Sequence, residues 1–392
     1  MSRQIRVYLT PLINYSIYGD EIEVTDYVSS IGRLKRQIER DDGEIGKFDY
    51  DNVAVKFYNR DGRFTFSDFF SDGRSFFKFR RDKAKLRITY DFNGVETELF
   101  KGLLLEDDNK ADLKQETISL QFRSIVSELS YLDVIGGLIS PRDTVSRVVK
   151  KVLNQPALRQ VITYNEDNIN IPSKVDLVLD DAGVLDDETC KQCLDLLLLA
   201  TNTVLYVTND NNVIVNTREQ EKPNSRSFNQ DNIINIKDIK DGFNKLFNKV
   251  SIGEGDSKVV ARNNTSINFY NKTRPKNLDN IITFFTDVEK REILAQNIVD
   301  SFSEIKQELT VVTTIDNALN IDLLDTVSLQ YEGNIKPTGE ITPQIDITEL
   351  DQENAPLPYE LIPLIIEKTD YRVIGINYNL SNYTVDVTMR LK

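Results

Sequence analysis

The chain has 392 residues, of which 40% are hydrophobic and 28% charged, and a chain of this length and composition is expected to fold into two to four domains. Its formal net charge of -14 argues against a protein that binds nucleic acid or anionic lipid through counterion release. Histidine is absent, which excludes Ser-His and Cys-His nucleophile pairs, histidine acid-base chemistry and His-bearing zinc sites.

The first residues enter an alternating strand pattern and lack the unbroken apolar core of a signal peptide. No stretch of the chain approaches the roughly 18 apolar residues that a membrane-spanning helix needs. We therefore expect synthesis in a cytoplasm and no membrane-spanning segment.

Residues 1–130 are predicted to form an antiparallel sheet, either a sandwich or a barrel, because short alternating runs follow one another. Asp61-Gly62 and Asn93-Gly94 lie between such runs and are predicted to be hairpin turns. The runs that alternate are 52–59, 85–92, 97–105 and 117–122.

Two unusual segments interrupt this pattern. Residues 74–87 interleave aromatic side chains with seven cations, as in a single-strand nucleic-acid binder or in an exposed strand edge protected by charge. We favour the strand edge. The phenylalanine-rich segment 64–79 favours core packing and contacts between subunits over an adhesive loop, and whether it contacts the end of a tube is left open.

Residues 131–222 are predicted to form an inserted α/β domain with two helices and a hairpin. Ser140 and Pro141 are the expected cap and first residue of the first helix. The second helix is expected to begin near Asp187, and the hairpin to turn at 209–212. Residues 222–225 are the expected exit linker.

Two groups of reactive side chains lie in this domain. Cys190 and Cys193 form a single C-x-x-C pair, without the preceding strand or second pair that a redox or metal site needs, and are interpreted as partly buried helix residues. An acidic run could supply the two carboxylates of a glycosidase, but we favour solvated acids that precede a helix. Its members are Asp180, Asp181, Asp186, Asp187 and Glu188.

Residues 223–303 are predicted to connect the inserted domain to a second barrel through a helix. Thr286 and Glu289 have the spacing of a capping box at the start of that helix. Leu294, Ile298 and Phe302 give it one apolar face, which predicts packing against the barrel.

Residues 304–392 are predicted to form the second barrel, with a closing hairpin that turns at 379–382. The segment 333–369 is predicted to be a long loop outside the regular sheet. Because the end of this loop is apolar, we expect it to contact a neighbouring subunit or partner. The loop carries five of the 11 prolines, namely Pro337, Pro343, Pro356, Pro358 and Pro363.

The two ends of the chain share a pattern of three strands. In each, an alternating strand ends in tyrosine, a second strand contains an internal glycine (Gly102 or Gly375), and a third strand closes the unit. A glycine within a strand indicates a bulge or a close backbone approach. We infer two related barrels in one chain, although period-two sequences also resemble one another by chance.

Several segments together resemble the tail hub, or baseplate hub, proteins of tailed bacteriophages. Residues 264–271 are similar to the hub pattern of Ser-Ile, two residues and Tyr, although Asn271 stands where the family usually has glycine. The helix and strand of 291–314, the strand of 321–331 and the hairpin of 371–391 follow in the family's order. The resemblance covers most of the chain and carries no catalytic residue.

The resemblance implies a mainly β fold with an α/β insertion, in which two tube-like antiparallel barrels accompany a small helix-helix-hairpin domain. It further implies a structural virion protein that forms a homotrimer, adapts a sixfold tail tube to a threefold tip and lets DNA pass. The implied partners are the tail tube or distal tail protein above, a tip, spike or fibre protein below, and the tape measure protein. No enzyme activity, catalytic residue, metal or cofactor is expected.

Other functions stay open at this point. A distal tail adaptor is also a barrel protein, but it forms sixfold rings from one barrel per chain. A receptor-binding protein and a cell-wall-degrading tail component are further alternatives.

Overall fold

The computed structural model describes most of the chain. The described residues are 3–14, 17–38, 52–65, 75–77, 84–105, 110–112, 114–181, 188–208, 212–335 and 362–392.

The N-terminal part is an antiparallel sheet, as predicted. The order of its strands is β4-β1-β8-β9-β11-β7-β5, and β10 pairs with β11, whereas β2 pairs with β3 separately. The strands of this part are β1 (Arg3–Thr10), β2 (Leu12–Asn14), β3 (Ile17–Tyr18), β4 (Ile22–Glu23), β5 (Val28–Ile31), β6 (Leu34–Gln37), β7 (Asn52–Tyr58), β8 (Lys85–Phe92), β9 (Val95–Leu104), β10 (Lys110–Asp112) and β11 (Thr117–Ser124).

One of the two predicted hairpin turns is confirmed. Asn93 and Gly94 join β8 to β9 with positive φ angles of 54° and 85°, the conformation that a two-residue turn requires. Asp61-Gly62 does not form a hairpin, because the strand before it, β7, pairs with β5 and β11 instead of β8.

The inserted region contains α1 (Val145–Leu153), a short α2 (Pro156–Arg159) and α3 (Cys190–Thr201), followed by β12 (Thr203–Val207) and β13 (Val213–Thr217). The strands β12 and β13 pair as the predicted hairpin, whose turn at 209–211 lies outside the described residues. Both predicted helix starts are displaced by a few residues.

The caps explain these displacements. The side chain of Thr144, and not that of Ser140, caps α1 by accepting a hydrogen bond from the backbone N–H of Arg147. Thr189 forms a capping box with Gln192 at the start of α3. At the start of α1, Ser140 and Thr144 are both possible caps, and the choice of Ser140 from sequence was wrong.

The remaining elements run from the inserted domain to the end of the chain. They are β14 (Asn224–Phe228), β15 (Ile233–Lys240), β16 (Lys249–Ile252), β17 (Val259–Arg262), α4 (Asn264–Tyr270), β18 (Pro275–Asn277), α5 (Val288–Phe302), β19 (Glu308–Thr314), α6 (Ile315–Ala318), β20 (Thr326–Ile335), β21 (Ile362–Asn379) and β22 (Thr384–Leu391). Asn224 and Ser225, predicted as linker, already belong to β14.

The C-terminal sheet has the strand order β14-β20-β21-β22-β19-β15, and β6 also pairs with β21. Two of its strands therefore come from the region 223–303 that was predicted to connect domains. The domain boundaries themselves stay a prediction.

Helix α5 does not pack where it was predicted to pack. Its cap is Asp287, which accepts a hydrogen bond of 2.8 Å from the backbone N–H of Glu289, and not Thr286. Its buried side chains, including Leu294 and Ile298, lie with α3 and the small sheet β17-β16-β18 in a second hydrophobic core. The helix therefore packs on a sheet, as its apolar face predicts, but this sheet is β17-β16-β18 and not the predicted barrel.

The predicted loop 333–369 is partly sheet. Strand β20 continues to Ile335 and β21 begins at Ile362, so that Asn334 is in register with Pro363. Over 362–369 the only described partner of β21 is β20, and a strand with one partner tolerates proline. Residues 336–361, with four of the five prolines, lie outside the described residues.

The two large sheets have corresponding strand orders. Reading β5-β7-β11-β9-β8-β1 against β15-β19-β22-β21-β20-β14, each strand of one sheet has a counterpart in the other, in the same order along the chain. One direction differs, since β1 is antiparallel to β8 and β14 is parallel to β20. The mainly β fold with a helical insertion is confirmed, whereas the closure of each sheet into a barrel stays a prediction.

Both glycines of the shared pattern have the predicted role. Gly375 follows a register shift between β21 and β22, which is a bulge. At Gly102 the backbones approach closely, because an added Cβ would lie 2.5 Å from the carbonyl oxygen of Arg123 and from Cζ of Phe100.

The two sheets share one hydrophobic core and are joined by polar contacts. Arg36 of β6 forms an ion pair of 2.5 Å with Asp322, which lies just before β20. Asp316 of α6 accepts hydrogen bonds from Arg3 and from the hydroxyl of Tyr90. Strand β6 thus links the N-terminal part of the chain to the C-terminal sheet both through its backbone and through its side chains.

Candidate assembly surfaces

The cysteines are buried and free. Cys190 and Cys193 lie on α3, and the side-chain amide of Gln155 lies 2.9 Å from Sγ of Cys190. Burial raises the pKa of both thiols, which disfavours a reactive thiolate. Within the described ranges, no three Cys, Asp or Glu side chains meet as a metal site.

The acidic run contains a structural contact. Asp180 accepts a hydrogen bond of 2.8 Å from the backbone N–H of Asp287 and forms an ion pair with Lys290. Burial opposes ionisation, but Lys290 and the backbone N–H groups outweigh it and lower the pKa of Asp180. Asp180 is therefore not a solvated acid but supports the start of α5. Asp186 and Asp187 lie outside the described residues.

The described part of the phenylalanine-rich segment belongs to the core. Phe64 is fully buried and stacks on Phe57 with a distance of 4.4 Å between ring centroids. Phe77 is buried, and Phe76 packs edge-on against Tyr27. Residues 66–74 and 78–79 lie outside the described ranges, so contact with another subunit stays a prediction.

The basic segment 74–87 is not a strand edge where it is described. Lys85 and Arg87 lie on β8, which is flanked by β1 and β9. Arg87 forms ion pairs with Glu96 on β9 and with Glu21, which lies just before β4. At Lys85 and Arg87 the predicted charged edge is therefore wrong, because this strand lies inside the sheet, whereas the other five cations lie outside the described residues.

The strongest candidate surface surrounds α4. Asn248 is fully buried and holds the two ends of the segment that carries this helix. Its side-chain oxygen accepts a hydrogen bond of 2.7 Å from the backbone N–H of Arg274, while its amide donates to the Lys272 carbonyl at 2.9 Å and to Ser266 at 3.2 Å. Such a satisfied buried amide fixes the surrounding backbone.

Helix α4 presents one aromatic side chain to solvent. Phe269 is 80% exposed and contacts Tyr270 edge-on, with 4.9 Å between ring centroids. The hydroxyl of Tyr270 accepts a hydrogen bond of 3.0 Å from the backbone N–H of Ile305. Asn271 ends the helix in the left-handed conformation, with φ of 48°. Asparagine therefore fulfils here the role for which the hub pattern uses glycine.

The strands and turns next to helix α4 are rich in cations. Residues 249–276 contain six cations and two acids, Glu254 and Asp256, a net charge of +4 within a chain of net charge -14. None of the six cations forms an ion pair with the described part of the chain. Three lie over the rings of Phe243 and Phe247. The six are Lys249, Lys258, Arg262, Lys272, Arg274 and Lys276.

Sequence reasoning found this segment through its Ser-Ile pattern but missed its surface character. An exposed phenylalanine cannot be distinguished from a buried one by residue type. The local excess of positive charge was the available signal. None of the described helices combines the length and apolar character that crossing a bilayer requires.

The fold of the present chain is shared by two tail proteins of known structure. The tail protein from Neisseria meningitidis MC58 matches with a TM-score of 0.56 at 10% identity, covering 100% of this chain and 97% of the other. The 43 kDa tail protein of prophage MuSo2 from Shewanella oneidensis matches with a TM-score of 0.55 at 12% identity, covering 99% and 96%.

A third similar chain comes from the lidded Francisella PdpA-VgrG complex. Its TM-score is 0.50 at 7% identity, and the match covers 100% of this chain but 53% of the other. No protein-family model matches the sequence, and no curated protein matches it either. The resemblance to the tail hub family is thus confirmed at the level of fold.

Proposed function

We propose that the chain is a structural tail hub that assembles as a homotrimeric ring at the distal end of a tail tube. The observation that carries the proposal is the correspondence of the two sheets, strand for strand and in the same chain order. Three copies of a chain with two similar sheets provide six similar units, which is the number that a sixfold tube needs. The tail-protein fold supports the same role.

The proposed partners follow from that position. The sixfold face of the ring contacts the tail tube or the distal tail protein, and the threefold face contacts a tip, spike or fibre protein. The tape measure protein is a further partner. The similar chain within the PdpA-VgrG complex supports assembly with other large components.

DNA passes through the ring without specific binding in this proposal. The net charge of -14 supports such passage, since negative walls repel phosphate groups and lower non-specific retention. An assembled ring whose lumen is lined mainly by Lys and Arg would contradict this part of the proposal.

The role is structural and not enzymatic in this proposal, and the protein is a component of the virion. Peptidoglycan hydrolysis by the purified protein would favour the cell-wall-degrading alternative, and binding on a glycan array would favour a receptor-binding protein. Neither activity is expected.

Electron microscopy of the purified protein at high concentration, combined with native mass spectrometry, tests the ring. We expect threefold class averages with an open centre and the mass of three chains. Sixfold rings with the mass of six chains would support the distal tail adaptor and contradict the hub.

A further inference from the structure

We propose that the cationic surface around Phe269 binds an acidic edge of a second copy of this chain, and so forms the contact between neighbouring subunits. The cationic surface consists of α4 and the six cations of 249–276. The proposal rests on the proposed homotrimer and adds the two surfaces that meet in it. It commits to this chain as the partner, because the same chain carries a surface of opposite charge.

The complementary surface is the edge of the N-terminal sheet at 17–26. This acidic edge has four exposed acids and no cation in its own sequence, and Lys85 of β8 lies over its Tyr18 ring at 3.8 Å from the centroid. Arg87 forms an ion pair with Glu21, whereas Asp20, Glu23 and Asp26 form no ion pair with the described part of the chain. Strand β4 ends the sheet here, since its described partner is β1 alone.

Each surface also offers an apolar side chain to the other. Phe269 is 80% exposed on the cationic surface, and Ile17 is 56% exposed on the acidic edge. An exposed aromatic residue in a segment rich in charge has the composition of an interface anchor, where truncation costs most. The surrounding charges then orient the partners and discourage wrong pairings.

The cationic surface is preorganised for binding. Asn248 fixes both ends of the segment, and Tyr270 fixes the position of Phe269 through Ile305. Little backbone order remains to be gained on binding, which lowers the entropy cost of association.

Single-stranded nucleic acid could also combine with aromatic and cationic side chains. The observations favour a protein partner. One exposed ring offers no stacking platform for successive bases, and the net charge of -14 repels a polyanion.

The two surfaces differ from each other, so the contact between subunits is head-to-tail. Such a contact closes into a ring when the rotation between neighbouring subunits allows it.

Charge reversal tests the proposal. The variant Arg262→Glu/Lys272→Glu reverses two exposed cations, and Glu23→Lys/Asp26→Lys reverses two exposed acids. We expect each double variant to raise the dissociation constant of the oligomer at least about tenfold, and their combination to restore it. Phe269→Ser should weaken the oligomer by about tenfold or more. Sedimentation velocity over a concentration series measures these changes.

A matched control reverses two cations of the inserted domain. Arg142 and Lys174 are exposed and form no ion pair with described residues, so Arg142→Glu/Lys174→Glu should leave the dissociation constant unchanged. Circular dichroism confirms that each variant is folded. Higher salt should weaken the wild-type oligomer, because screening reduces attraction between exposed charges.

The outcomes separate this inference from the hub. If wild-type rings are threefold and the variants at both surfaces assemble equally well, the contact is wrong and the hub stands. If the reversed pair fails to restore assembly, the acidic edge is not the partner. If assembly depends on both surfaces but the ring is not threefold, the contact stands and the hub falls. A wild-type chain that remains monomeric at high concentration contradicts both, as does an oligomer held together only by added oligonucleotide.

Discussion

The N-terminal and C-terminal sheets reach the same strand order in different ways. In both, three antiparallel strands form the centre, namely β8-β9-β11 and β20-β21-β22, and earlier strands add at the sides. The direction of the first strand differs, and its surroundings give the reason. Lys222, just before β14, forms an ion pair of 2.9 Å with Asp325, just before β20. The two strands therefore begin side by side and run parallel, whereas β1 meets β8 from the opposite end.

The connections beside these strands differ as well. The β19-β20 connection contributes aliphatic side chains to the core, including Ile315 and Leu324, through the short helix α6. The described part of the β7-β8 connection contributes Phe64 and Phe77. The two halves thus share a strand order but differ in the connections that pack against the strands. The repeat is therefore defined by the strand pattern and not by the side chains of the connections.

Alanine substitution at the two internal glycines should give the largest difference in stability between the two sheets. Gly102→Ala should destabilise the N-terminal sheet by about 3 kcal/mol, because its Cβ would lie 2.5 Å from a backbone oxygen. Gly375→Ala should cost about 1 kcal/mol or less, since its nearest contact is 3.4 Å, to Thr388 Cβ. Hydrogen exchange over β9 and over β21 measures the local loss, and equal losses would contradict the distinction.

The second test concerns the link between the halves. Arg36→Met removes an ion pair of 2.5 Å to Asp322 from a side chain that is 7% exposed. We expect a loss of about 2 kcal/mol, below the cost for a fully buried pair because Asp322 retains some access to water. Arg33→Met, at an exposed position nearby, serves as the control. Equal denaturation midpoints for the two variants would show that the pair does not join the sheets.

A third change removes one hydroxyl between the sheets. Tyr90→Phe deletes the hydrogen bond to Asp316 while leaving Arg3 in place. The expected loss is about 1 kcal/mol. Tyr371→Phe is the matched change in the C-terminal sheet, where the hydroxyl forms no hydrogen bond with described residues, and should cost less. Thermal denaturation of both variants makes the comparison, and the opposite order would refute it.

The smallest expected difference is in acid sensitivity. The Thr89 hydroxyl, followed by Tyr8, Arg87 and Arg6, lowers the pKa of Glu96 against the opposing effect of burial. A lowered pKa contributes stability above the unfolded value, about 4.3, and this contribution is lost as the pH falls through the folded value. Glu96→Gln should flatten the fall in stability as the pH drops below about 4.3. Melting temperatures that fall as steeply as in the wild-type chain would contradict the assignment.

Much of the sheet architecture was predictable, because alternation fixes strands and the Asn93-Gly94 turn fixes a hairpin. The errors concern choices between similar local signals. Thr144 and Asp287 cap their helices where an earlier residue was predicted, since capping depends on backbone geometry. The partner of α5 could not be predicted either, because an apolar face does not specify which apolar surface it meets.

The candidate surface was predictable only in outline. The pattern around Ile267 pointed to the segment, but burial of Asn248 and exposure of Phe269 are properties of the folded chain. Asparagine usually lies on the surface and phenylalanine in the core, whereas here Asn248 is buried and Phe269 is exposed. Such exchanges occur where a side chain has a role beyond the stability of its own domain.

The position of β6 limits how such a protein can evolve. This strand is encoded with the first half of the chain but completes a ladder of the second half, at residues 375–378 of β21. If recombination replaced the first half with the equivalent half of another protein of this fold, the C-terminal sheet would lose its own β6. We therefore expect the two halves to be inherited together, and the 223–392 fragment expressed alone to be rescued by a synthetic peptide that carries β6.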